Sequence, residues 1–167
     1  MKKVLAIFLA FIIGLSMSAQ IQNKLLGFTL GKTNRSEIYN KYKNDRYFME
    51  RADGSICTGD IKFAGHEWDM VAFTFVDNKL SSVAFSDIET ETPVSIMEST
   101  WQNLKDKLTK KYSQYYEKTT YDMILYSDDN NKLGLSFSET SGRMLLMLYY
   151  TNIALNLQQI QADEDEL

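Results

Sequence analysis

The side chains most able to do chemistry in this chain are its one cysteine, Cys57, and its one histidine, His66. A thiol beside an imidazole could form a nucleophile–base dyad if the two groups came within hydrogen-bonding distance. If Ala64-Gly65 forms a tight turn, His66 lies at a hairpin tip and Cys57 pairs near Ala72. Six strand residues at about 3.3 Å each then separate the two side chains by ~20 Å. The spacing argues against a dyad and predicts Cys57 as a buried core residue.

Two groups of residues resemble metal ligands without predicting a metal site. His66, Glu67 and Asp69 are close in sequence, but neighbouring residues of a strand point to opposite faces of a sheet. The segment 128–139 places Asp and Asn at the first and third positions of a calcium loop, but its sixth position, where the loop requires glycine, is Leu133. We therefore expect no metal, no cofactor and no catalytic residue at either place.

The N-terminus is typical of a secretory signal peptide. Two lysines at positions 2–3 precede the apolar run Val4–Leu15, and a segment with small residues follows the run up to Ala19. The run is shorter than the ~20 residues that a membrane span needs, and no second apolar run follows. The sequence predicts cleavage after Ser18 or Ala19 and a periplasmic or secreted protein without a membrane anchor. A lipid anchor is not expected, because no cysteine follows the signal.

Composition limits the classes of partner. Removing residues 1–19 leaves 148 of 167 residues and takes away Lys2 and Lys3, so the net charge changes from −4 to −6. This acidic balance argues against nucleic acid and anionic membranes as partners. A lone cysteine provides no disulfide framework, so packing must stabilise the fold. The predicted organisation is a cleaved signal peptide (1–19), a single domain (20–161) and an acidic tail (162–167).

The periodicity of apolar residues predicts an α+β fold. A helix is expected over 34–46, strands over 56–63, 67–76 and 79–86, a long helix from 92–93 to 115, and strands over 120–127, 132–139 and 143–150. The order is that of two helix-plus-three-strand units forming an antiparallel sheet with the helices packed on one face. A short helix could follow at 152–161.

The two units are a candidate tandem repeat. The segment Trp68–Val71 lies 53 residues before Tyr121–Ile124, and Asn78–Leu80 lies 53 before Asn131–Leu133. The matching helices that precede both segments favour duplication, although two hairpins with similar turns could also agree by coincidence.

Several predicted strands are apolar on both sides, so the sheet has a second apolar face. Either the terminal segments fold over that face, or it binds a protein or a small ligand, since Tyr and Met are enriched at binding surfaces. The side chains proposed for such a partner-binding face are Phe73, Phe75, Ile124, Tyr126, Leu145, Met147 and Tyr149.

The entry to the first helix resembles that of small exported bacterial α+β domains. Gly31-Lys32-Thr33 followed by Ser36-Glu37-Ile38 is similar to the turn of SmpA/OmlA-type domains and of β-lactamase-inhibitor-like proteins. These families share a helix followed by an antiparallel sheet, and the inhibitors duplicate this unit. The resemblance implies a non-catalytic domain that binds a protein partner with its sheet, and it assigns no functional residue.

The sequence thus favours an exported binding module. Two alternatives stay open. A small hydrolase could draw its carboxylates from loops, at Glu50, Asp53, Asp60 and Glu67, and a structural subunit could cover its sheet by forming a homodimer.

Overall fold

The computed structural model describes residues 20–120 and 122–165, so the predicted signal peptide lies outside the described residues. The described chain begins with strands β1 (Lys24–Leu25) and β2 (Phe28–Thr29) and helix α1 (Arg35–Tyr42). The first group of main-sheet strands is β3 (Met49–Glu50), β4 (Ile56–Phe63), β5 (His66–Val76) and β6 (Lys79–Ile88). Helix α2 (Val94–Tyr112) and a 3-10 turn (Ser113–Tyr115) lead to β7 (Tyr116–Thr119), β8 (Met123–Ser127), β9 (Asn131–Thr140), β10 (Arg143–Asn152) and helix α3 (Ile153–Asp165).

The predicted α+β class and antiparallel sheet are confirmed. Eight strands form one sheet in the order β3-β4-β5-β6-β10-β9-β8-β7, and every neighbouring pair is antiparallel. The sheet has two strands more than the sequence predicts, because β3 and β7 add one short edge strand to each group. The two groups meet at the pairing of β6 with β10.

Two-residue turns fix the register of the first group. Ala64-Gly65 (φ 56° and 83°) joins β4 to β5, and Asp77-Asn78 (φ 47° and 63°) joins β5 to β6. Positive φ at both central residues gives the turn whose twist matches that of a hairpin. The turns place Cys57 opposite Ala72, as predicted. Cys57 is also buried, as predicted.

The helices follow their sequence signals. The α1 entry is capped at Asn34, whose backbone N–H donates to Glu37 Oε1 at 2.9 Å. Helix α2 buries the predicted apolar stripe, which is Met97, Trp101, Leu104, Leu108 and Tyr112. Helix α3 runs through Asp165, so the segment predicted as a tail begins inside a helix. Across residues 20–120 and 122–165, no helix combines the length and apolar character needed to cross a membrane.

The strand order is symmetrical about the β6–β10 pair, since each half contains one helix and four strands. A shift of 53 residues, however, matches β5 with β8 and β6 with β9, which lie at different distances from that central pair. The tandem repeat stays a prediction, and a duplication consistent with the strand order would match β5 with β9 and β6 with β10.

Candidate functional site: the open face of the sheet

The two faces of the sheet can be assigned from strand register and aromatic contacts. Helices α1 and α2 cover the same face, because Tyr42 stacks on Phe73 at 5.5 Å and Tyr112 contacts the Tyr126 ring at 6.1 Å between centroids. We call this the inner face. Its buried residues are Val71, Phe73, Val83, Phe85, Ile124, Tyr126, Leu133, Leu135, Leu146, Leu148 and Tyr150.

The seven side chains predicted to bind a partner do not share one face. Phe73, Ile124 and Tyr126 are 0%, 2% and 1% exposed on the inner face, and Phe75 packs against the same core. The Tyr126 hydroxyl also hydrogen-bonds Thr109 of α2 at 3.0 Å. Phe73, Ile124 and Tyr126 are therefore not available to a partner, and Phe75 is only partly exposed.

The other three, Leu145, Met147 and Tyr149, lie on the opposite, partly exposed side, which we call the open face. Two cross-strand rows form its centre. One row follows the register through Met70, Ser86, Met147, Ser136 and Met123. The next runs through Cys57, Ala72, Ala84, Tyr149, Gly134 and Leu125.

The open face is broad, and many of its side chains are small. Each row crosses at least five strands, so at about 4.8 Å between strands it spans ~19 Å or more. In the first row, flexible methionines alternate with serines. In the second, small side chains occupy β5 and β6 and leave the backbone close to the surface. Such a surface can adapt to the apolar side chains of a partner.

Tyr149 is the aromatic side chain of the second row, and its ring lies against Gly134 of β9. A Cβ at Gly134 would be 2.1 Å from Tyr149 Cζ, so only glycine leaves room for the ring. Tyr149 Oη donates to Met123 Sδ at 3.9 Å. Burial, and secondarily the Glu117 carboxylate, raise the pKa of Tyr149 above its usual value of 10. The phenol is therefore neutral at physiological pH.

Cations border the apolar rows. Arg51 Nη2 lies 3.6 Å from Met70 Sδ, and Arg46 stacks on Tyr47 at 5.3 Å. The other cations are Lys118, opposite Leu125, Lys132, two residues from Gly134, and Arg143, two residues from Leu145. In the described part of the chain, the only carboxylate within 4 Å of these five cations is Glu117, at 3.9 Å from Lys132.

The sequence reasoning missed Met70, Met123, Gly134 and this cationic border. The signal that locates the open face is the clean alternation of β9, where Gly134 and Ser136 oppose Leu133 and Leu135. Carried across the two hairpins that flank β9, this alternation places Tyr126 opposite Leu133 inside, and Tyr149 opposite Gly134 outside.

A second arrangement that the sequence did not reveal is a buried hydrogen-bond network around His66. His66 Nε2 is 2.6 Å from Oδ2 of Asp87, whose side chain is 0% exposed. Asp87 Oδ1 accepts from the Asp69 backbone N–H at 3.1 Å, and the Asp69 carboxylate accepts from Thr92 Oγ1 at 3.0 Å. Burial raises the pKa of Asp87, and the hydrogen bond from His66 opposes this shift. The network ties β5 and β6 to the start of α2.

The carboxylates considered for a hydrolase are dispersed over separate interactions. Glu50 pairs with Arg35, and Glu67 pairs with Lys62 at 3.6 Å. Asp53 accepts from Ser55 Oγ at 2.7 Å, and this hydrogen bond lowers its pKa. Within residues 20–120 and 122–165, no three His, Cys, Asp or Glu side chains are grouped so as to hold a metal ion.

Comparisons with known proteins identified no relative of this chain. No family model, curated protein or solved structure matches the chain. No residue role can therefore be transferred, and the resemblance to SmpA/OmlA-type and β-lactamase-inhibitor-like domains stays a prediction.

Proposed function

We propose that this chain is an exported, non-catalytic binding module that engages a protein partner through the open face of its sheet. The observation that carries the proposal is the pair of apolar rows at the centre of that face. Large contiguous apolar patches on a protein surface are typical of interaction sites, and the methionines here have the flexibility that such sites use.

The described parts of the terminal segments leave the methionines of the first row partly exposed. Leu25 and Phe28 of the N-terminal strands belong to the inner core, and the Phe28 ring contacts Phe73 at 5.8 Å. Helix α3 touches β5 and β10, but its Leu157 and Ile160 are themselves 53% and 45% exposed. Apart from Cys57, Ser86 and Gly134, which are already buried, the residues of the two rows keep partial exposure in the monomer, and a partner would complete their burial.

A protein suits the breadth of the open face better than a small ligand does. Small-molecule sites are concave and enclose most of the ligand surface, whereas the rows extend over at least five strands. Export is supported by the charge, apolar run and small residues of positions 1–19. It predicts a mature N-terminus at Ala19 or Gln20, which intact mass spectrometry of the secreted or periplasmic protein would test.

The binding proposal can be tested by site-specific photocrosslinking in the native host. A photoreactive residue at Met147 samples the open face, and the same residue at exposed Lys110 on α2 is the matched control. We expect a discrete crosslinked protein from the Met147 position alone. Equal crosslinking from both positions, or none from Met147, would overturn the proposal.

A further inference from the structure

Several cations border the open face of a chain that is acidic as a whole. The full sequence carries a net charge of −4. Arg46, Arg51, Lys118, Lys132 and Arg143 nevertheless border the apolar rows, and Glu117 is the one carboxylate within 4 Å of any of them in the part of the chain that the structure describes. This segregation would make the border of the open face electropositive.

These cations are available for an external anion. Arg51, Lys118 and Arg143 are exposed, and no described carboxylate lies within 4 Å of them. The Glu117–Lys132 pair is separated by 3.9 Å, with both side chains more than 40% exposed, so it contributes little and can exchange partners. Among the described residues, Arg51, Lys118 and Arg143 have no ion pair within 4 Å that would have to be broken before they contact a partner.

Resting on the proposed function, we infer that the partner presents an acidic protein surface to the open face. Apolar side chains of the partner would pack on the rows of Met70, Met123 and Met147, and its Asp or Glu carboxylates would meet Arg51, Lys118 and Arg143. An apolar centre with a charged border is the usual anatomy of a protein–protein interface. Complementary charges would raise the association rate and increase the specificity of binding.

The distribution of side chains favours protein over other polyanions. Nucleic-acid strands are bound by cations along the path of the backbone and by aromatic rings that stack on bases. Here the cations stand at the edges, and the Tyr149 ring is occupied by its contact with Gly134. The centre that a partner must cover combines methionine thioethers with small side chains, and this suits apolar protein side chains.

Charge reversal tests the inference in the full exported chain that carries the photocrosslinker at Met147. The test variant combines Arg51→Glu, Lys118→Glu and Arg143→Glu. The control combines Lys24→Glu, Lys107→Glu and Lys110→Glu, which are also at exposed positions and change the net charge by the same amount. We expect the test variant to lose at least about ten-fold in crosslinked product and the control to stay within about two-fold, with 0.5 M salt reproducing the loss in the unmodified background.

Each result has a distinct meaning. Undiminished crosslinking in the test variant would overturn the acidic partner while leaving the proposed function standing, whereas crosslinking that is absent from every background would overturn both. Neutral glutamine substitutions at the same three positions should give an intermediate loss, and circular dichroism of both sets excludes misfolding as the cause.

Two direct probes separate other occupants. Binding of the mature domain to phosphatidylglycerol vesicles or to single-stranded DNA, abolished by the test variant, would overturn the inference in favour of a general polyanion site. A dimer seen in sedimentation and abolished by the same variant would identify a second copy as the occupant and overturn it as well.

Discussion

The inner and open faces are built from the same strands, yet their side chains have different roles. Phe73 and Tyr126 on the inner face fit against α1 and α2 and are almost fully buried. Met147 and Tyr149, on the open face of the same sheet, are only partly covered. Burial stabilises a fold in proportion to the area removed from water. The inner face should therefore determine stability, while the open face keeps part of its apolar area for a partner.

The largest expected effect is that of Phe73→Ala, which would break this comparison if it were small. The Phe73 ring contacts Phe28 at 5.8 Å and Tyr42 at 5.5 Å, so truncation leaves a cavity between β5 and α1. We expect the free energy of unfolding in urea to fall by about 4 kcal/mol. The neighbouring Thr74→Ala, at an exposed position of the opposite face, should change it by less than about 0.5 kcal/mol. Similar losses at both positions would mean that the two faces do not differ as described.

His66→Ala is expected to have the next largest effect, because it leaves the buried Asp87 carboxylate without its imidazole partner. Removal of one member of a buried pair costs about 3 kcal/mol at neutral pH. The pKa of Asp87 should also rise further, since both the hydrogen bond and the charge of His66 lower it. Urea unfolding at pH 7 measures the first effect, and NMR titration of the Asp87 carboxyl carbon measures the second. A His66→Gln variant that restored most of the lost stability would attribute it to the hydrogen bond alone.

Gly134→Ala connects the two faces through one side chain. The new methyl group would overlap the Tyr149 ring at 2.1 Å from Cζ, so the ring must leave its place against β9. We expect a loss of about 2 kcal/mol in unfolding free energy. The double variant with Tyr149→Ser removes the clash, so its total loss should fall short of the sum of the two single losses by at least about 0.5 kcal/mol. Additive losses would show that the ring does not restrict this position.

Features that depend on neighbouring residues could be predicted from the sequence, whereas features that depend on residues far apart in the chain could not. Local chemistry was sufficient for the turns Ala64-Gly65 and Asp77-Asn78, and these turns correctly set Cys57 opposite Ala72. The pairing of β6 with β10 joins strands more than 50 residues apart and has no local signature. Strands β3 and β7 were missed because two and four residues are too few to show a period.

One strand of the site does not keep strict alternation, so the faces of its side chains cannot all be assigned from the sequence. Trp68 contacts the inner Phe85 ring at 5.8 Å, although by alternation it should share the open face with Met70. On the neighbouring strand β4, between the partners of Trp68 and Met70, Asp60 has a φ of 53° and departs from regular strand geometry. Alternation alone would place Trp68 with Met70 and Ala72. No sequence pattern marked the pairing of His66 with Asp87, which depends on how β5 and β6 align.

The pH dependence of stability should sharpen the contrast between buried and exposed carboxyls. Burial raises the pKa of Asp87 above its usual 3.8, so the folded state holds this proton more tightly than the unfolded state does. Between the two pKa values the unfolding free energy must fall as pH rises, and the loss is complete above the folded pKa. Urea midpoints measured from pH 3.8 upward should show this fall for the wild type relative to Asp87→Asn. A difference that is constant with pH, or that grows, would contradict the assignment.

The smallest expected effect is that of Met147→Ala at the centre of the open face. Its neighbours across the strands are Ser86 and Ser136, so truncation opens no enclosed cavity. The unfolding free energy should fall by less than about 1 kcal/mol. For the binding measurement, the photoreactive residue is placed at Met123 in the same row, and the yield of crosslinked partner should be several-fold lower with Met147→Ala than without it. The inner-face substitution Leu148→Ala, one residue away and fully buried, provides the inverse control. It should lower the unfolding free energy by about 3 kcal/mol. Crosslinking from Met123 should be retained at temperatures where this variant stays folded. If Met147→Ala cost as much stability as Leu148→Ala, the open face would be part of the core, and its apolar rows would need no partner to explain them.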